Sequence, residues 1–166
     1  MEFNNDYRLH TKESPRQIIF EDYKLDLPIK GGWGYSPEDA CIIDKDDPSA
    51  NLPEPFNGVK IEYVFVEKRL YEEMITFRQG DERFGGIRWS LDIQQIEDHG
   101  GKSIDHLIFN VTGYQESVWD EITNRFDEIQ KNFSQTAFDE LEKYRLSKIQ
   151  TFRREYYFDI SSFFGK

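Results

Sequence analysis

The chain predicts an α+β domain with a mainly antiparallel sheet and two C-terminal helices packed on one face. Three observations carry that expectation. Apolar residues recur with period two in several runs before Gly113, and two runs of helical period follow it. A Gly-Gly turn separates the two clearest strands. The length of 166 residues fits one core of ordinary size. Charged residues reach 32%, but 16% aromatic content, with 14 Phe and 9 Tyr, marks a chain that folds rather than a disordered one.

Residues 1 to 16 are polar and are expected to form a flexible N-terminal segment, leaving residues 17 to 166 as the single domain. From Gln17 to Leu27, Ile19, Tyr23, Leu25 and Leu27 alternate with Asp22, Lys24 and Asp26, which predicts a half-buried strand ended by Pro28. Ala40 to Asp44 is a short apolar run, either a second strand or the end of a helical turn. Pro48, Pro53, Pro55 and Gly58 mark residues 45 to 58 as a surface loop.

Val59, Ile61, Tyr63 and Phe65 alternate and predict a third strand, after which Val66, Leu70, Met74 and Phe77 step at helical spacing. Gly80 and the Gly85-Gly86 pair bracket a turn. Ile87, Trp89, Leu91 and Ile93 form a strand with Trp89 in the core. A hairpin turn over 98–102 leads to its partner with Leu107, Phe109 and Val111. After Gly113, Val118, Ile122, Phe126 and Ile129 line one face of a helix whose remaining surface carries Glu116, Asp120, Glu121, Asp127 and Glu128. A second helix starts near Ser134 or Thr136 and carries Phe138, Leu141, Tyr144 and Ile149. Glu155 to Ile160 reads as extended.

The net charge is −11 and both halves are acidic, with 18 acids against 11 bases in residues 1 to 83 and 14 against 10 thereafter. Such a field repels phosphate backbones and anionic headgroups and attracts basic partners, so neither nucleic acid nor a membrane is expected as a partner. The basic residues Lys143, Arg145, Lys148, Arg153 and Arg154 are interleaved with Glu140, Glu142 and Glu155 and read as a solvated face. Cys41 is the single cysteine, which excludes an intramolecular disulfide. No signal-peptide pattern and no run of 18 apolar residues is present, so a cytoplasmic location is the default expectation.

No complete catalytic or cofactor motif emerges, and no cofactor is expected. Gly32-Trp33-Gly34 lacks the third glycine of a dinucleotide fingerprint, and no phosphate-binding loop is present. Ser36 lacks the closing glycine of a nucleophile elbow, and Pro37 removes the amide an oxyanion would need. The pattern Ser36, Pro37, Asp39 fits a helix cap instead. Asp44, Asp46, Asp47 and Glu54 fail the spacing of a calcium loop, since Pro48 and Ser49 fall where a ligand and a glycine belong. His10, His99 and His106 show no metal spacing.

The remaining candidate is residues 31 to 47, where three glycines surround Trp33 and Tyr35 and five acids follow. Three glycines together cost folding entropy, so something must hold this turn. Two functions fit. The first is a non-enzymatic acidic protein that recognises a basic protein partner through Trp33, Tyr35, Asp44, Asp46 and Asp47, in the manner of an inhibitor or a toxin-neutralising immunity protein. The second is a small-molecule binder or hydrolase whose pocket is built by the loop over 31–44.

Overall fold

The computed structural model describes residues 7 to 166. Its first element is a helix where alternation predicted a strand: the Ser14 hydroxyl accepts the Gln17 amide at 3.2 Å, and Pro15 occupies the first turn of α1 (Pro15–Tyr23). Ile19 and Tyr23 lie four residues apart and therefore share a helical face, with Ile19 fully buried. Lys24 ends the helix in the left-handed region at φ 57° without a glycine to announce it, and Leu25 and Leu27 continue in irregular backbone. Of the segment over 1–16 expected to be flexible, residues 1 to 6 lie outside the described residues, and within the remainder Leu9 and Pro15 are buried. Leu9 is buried in the core and its amide donates to the Tyr35 hydroxyl at 2.9 Å.

β1 (Ile29–Gly31) and β2 (Cys41–Ile43) form a short antiparallel hairpin, which decides the apolar run at 40–44 in favour of a strand. The third expected strand is also a helix, α2 (Gly58–Tyr71), capped by the Asn57 side chain on the Lys60 amide. Its alternation is an interleaving of two helical pairs. Val59 and Tyr63 face outward, while Ile61 and Phe65 face the core. The helix runs on into a π-helical turn over Glu72–Thr76, closed by the Phe77 amide on the Glu72 carbonyl.

β3 (Phe84–His99) and β4 (Lys102–Gln115) form the predicted long hairpin, and α3 (Glu116–Lys131) and α4 (Gln135–Lys148) follow as the two C-terminal helices. β5 (Gln150–Asp159) returns to the middle of a five-stranded sheet of order β1-β2-β5-β4-β3. Among the described strands only β2 and β5 run parallel, with Cys41 opposite Phe158. The fold is the expected α+β domain with a mainly antiparallel sheet.

The two faces of the sheet are filled by different helices. Leu107, Phe109 and Val111 of β4 and Phe152, Tyr156 and Phe158 of β5 meet Ile61, Phe65 and Leu70 of α2 in the main core, joined by Ile19 and Trp33. Burying each large side chain of this set contributes about 1.5–3 kcal/mol. Tyr114, alternate with Gly113, points to the other face, where it joins Ile122, Ile129 and Leu141 of α3 and α4 in a second cluster. Trp119 stacks on Tyr114 at 5.4 Å and lies over Gly85 and Gly86, where any Cβ would come within 2.6 Å of the indole. Trp89 is only half-buried and meets Tyr71 edge-on at 5.7 Å, because α2 ends before covering the outer strand.

Candidate functional site

The glycine-aromatic segment is held from inside. Asp39 folds back over Gly32, whose missing Cβ leaves the space its carboxylate fills, and accepts the Tyr35 amide. Ser36 accepts the Asp39 amide with its hydroxyl at 3.2 Å, so the expected cap exists but closes a single turn rather than a helix. Gly34, at φ 77°, brings its carbonyl to the Tyr157 amide at 2.9 Å, and a Cβ there would lie 2.9 Å from the Tyr157 oxygen.

Arg69 supplies the central tie. It is 1% exposed and lies between the rings of Tyr35 and Tyr156, at 4.1 and 3.7 Å. Its guanidinium donates to the Trp33, Gly34 and Glu155 carbonyls and, through Nε, to Glu73 at 2.7 Å. Glu73, also fully buried, accepts the Tyr35 hydroxyl at 2.9 Å, and its second oxygen lies 3.1 Å from Arg154 Nε. Burial raises the Tyr35 and Tyr156 hydroxyls well above the ordinary tyrosine range. This network fixes the loop to α2 and β5 and offsets the entropy of the three glycines.

Trp33 is therefore a core residue, 5% exposed, packed at 5.6 Å from Phe65 with its indole nitrogen donating to the Thr11 hydroxyl. Tyr35 is half-buried and committed to Arg69, Glu73 and Leu9. A groove of about 560 Å³ runs beside both, between Arg8–Pro15 and Gly31–Ser36.

The three aspartates stand elsewhere. Asp44 follows β2 at the end of the hairpin far from the loop, where its amide reaches the Pro28 carbonyl, so one strand length of about 10 Å separates it from Trp33. Asp44 lies 3.6 Å from Lys30, and Asp46 is exposed. Asp47 accepts the Ser49 hydroxyl and amide, which hold its carboxyl below the ordinary range, with Arg16 adding to the effect. Arg16 also binds Asp26 at 2.8 Å, and Asp26 pairs with Asn51 across an isolated bridge.

That chain of contacts leads to an apolar cleft that the sequence did not reveal. Leu25 and Leu27 form one wall, Leu52, Pro53 and Pro55 a second, and Ile61 and Val64 of α2 the floor, around a cavity of about 170 Å³. The prolines fix the backbone of the lip. Glu54 and Lys60 pair at its mouth. Residues 21 to 54, which supply two of the walls, hold nine acids and three bases. The cleft is assembled from three separate segments, so no contiguous pattern encodes it; only the density of prolines and aspartates hints at a shaped, charged loop.

Two other charged groups escaped the sequence reading. Glu62 and Asp105 meet inside the main core, both 3% exposed, and Gln94 donates to Asp105 at 2.8 Å. Burial pushes the Glu62 carboxyl up to about 8 and raises Asp105 as well. His106 is stacked on Tyr157 at 4.1 Å and flanked by Glu97 and Glu155, a partnered histidine as its isolation in the sequence suggested. Among the described residues no group of three or more His, Cys, Asp or Glu side chains converges on a metal position, and no helix is long and apolar enough to cross a membrane. No protein-family model matches the chain, and no curated protein or solved structure matches it.

Proposed function

We propose that this protein binds a basic protein partner, in the manner of an inhibitor or a toxin-neutralising immunity protein, and that it docks through the cleft between the segment after α1 that carries Leu25 and Leu27, α2 and the loop over 52–57. The observation that supports the reading is an apolar cavity of side-chain size opening beside residues 21 to 54, which hold nine acids against three bases. Interfaces draw their affinity from a few anchors seated in desolvated pockets, while charges at the rim steer the encounter. A partner's aliphatic side chain fits the cavity, and its lysines or arginines meet Glu54 at the mouth and the acids Asp44 and Asp46 of the loop that leads to it. Trp33 and Tyr35 then serve the fold, holding α2 in place, rather than touching the partner.

Affinity capture on the immobilised protein at low and high salt tests this. A basic protein retained at low salt, released at high salt and lost when Pro53→Asp places a charge at the lip is the expected result. Retention that survives both changes, or capture of no basic protein, contradicts it.

The groove beside Trp33 favours one second reading, a small-molecule binder built on the 31–44 loop. The carboxyls raised by burial, Glu62 and Asp105, do not line that groove. A quench of tryptophan fluorescence on titrating small aromatic or sugar ligands, abolished by Tyr35→Ala, distinguishes it from protein docking.

A further inference from the structure

β3 is the outermost strand of the sheet, and from Arg88 to Ile96 every residue except Trp89 is exposed, including Leu91, Ile93 and Ile96. A long open edge that exposes apolar side chains is a template for another strand. We propose that its partner is β3 of a second copy of this chain, paired antiparallel about a two-fold axis between Asp92 and Ile93, so that the two sheets become one.

The register follows from backbone phase. Gly100 and Gly101, at φ 63° and 85°, make a two-residue turn, so His99 and Lys102 close it as a hydrogen-bonded pair. Alternation from that pair turns the backbone groups of Gln94 and Ile96 away from β4, toward the open edge. Asp92 is an extra residue, since Leu91 faces Phe109 and Ile93 faces Ile108. This bulge resets the phase, and beyond it the outward groups belong to Leu91 and Trp89. A two-fold axis must set outward residues against outward residues, which across the bulge means an odd position opposite an even one.

One such register sets Leu91 opposite Gln94 and Trp89 opposite Ile96 of the second copy, and it brings Arg88 opposite Glu97 in both halves. The faces agree as well. Trp89, Leu91, Gln94 and Ile96 lie opposite Val111, Phe109, Leu107 and Asp105, all on the α2 face, while Arg88, Ser90, Gln95 and Glu97 share the other. Slipping by two residues either way puts Arg88 opposite Gln95 or His99 and loses the charge match. Near the axis each Asp92 is already neutralised by Arg153 at 2.9 Å.

Sedimentation of the full chain over a range of concentrations tests the proposal. The wild type is expected to dimerise, Arg88→Glu and Glu97→Arg each to weaken the dimer about tenfold, and the double reversal to recover it. Ile96→Pro removes an amide that faces the open edge and not β4, so it is expected to leave the circular dichroism of the monomer intact and abolish the dimer. Glu97 lies 2.7 Å from His106, so if Glu97→Arg fails to fold, Arg88→Glu and Ile96→Pro decide. A wild type that stays monomeric throughout, or a dimer that these two variants leave unchanged, overturns the proposal.

Discussion

Glu62 shows how one side chain ties the fold to pH. In the unfolded chain a glutamate titrates near pH ~4.3, whereas in the core burial and Asp105 raise Glu62 to about 8. Between those values the native state holds the extra proton, so stability falls as pH rises from about 5 to 8 and levels off above. The Glu62→Gln variant keeps a donor for Asp105 and removes the buried charge. It is expected to flatten that slope and to gain about 1–3 kcal/mol at pH 8 in urea unfolding. A parallel pH dependence in wild type and variant would contradict the raised Glu62 carboxyl. No hydropathy pattern reveals this pair, because the sequence holds 32 acids and only the fold selects two of them.

At the scale of elements, the strands β3 and β4, their Gly-Gly turn and the helices α3 and α4 were legible from the spacing of their apolar residues, with Ser134 capping the start of α4. α1 and α2 were not. In α2 and the π-helical turn that continues it the buried face carries Glu62, Lys68, Arg69, Glu72 and Glu73 among its apolar residues, so the helical stripe vanishes from hydropathy and two interleaved pairs imitate a strand. The same charges lock the elements together. Arg69→Met leaves Glu73 buried without its guanidinium and frees three carbonyls. A loss of about 3–5 kcal/mol is expected by denaturant titration, and Arg69→Lys recovers little because one ammonium cannot span four acceptors. The other face depends on a contact of a different kind. Gly86→Ala, at φ 59° and under the Trp119 ring, is expected to cost at least ~1–3 kcal/mol and to shift the tryptophan emission to longer wavelength as Trp119 lifts away. An unchanged spectrum and midpoint would mean that α3 does not rest on that strand.

Over the whole molecule, charge and shape divide the surface. The 21–54 stretch carries a net −6, nine acids less three bases, around an apolar cleft, and the open edge of β3 carries matched charges of both signs. The charge excess was evident from composition; the cleft was not, because its walls lie on separate segments that contacts such as the Asp26–Asn51 bridge and the Arg16 ion pairs bring together. Trp33 and Tyr35 stood out in the sequence for their glycines. Those glycines admit Asp39 and the Tyr157 backbone, so the same signal reports anchoring of the loop. Steering by the acidic rim would give the proposed docking a kinetic signature. With the captured partner in hand, the decisive measurement is its association rate against ionic strength for wild type and for Asp46→Lys/Glu54→Lys. A steep decline with salt in the wild type, and a rate about tenfold lower and nearly flat in the variant, is the predicted result; equal rates and equal salt slopes in the two proteins would contradict docking through this cleft.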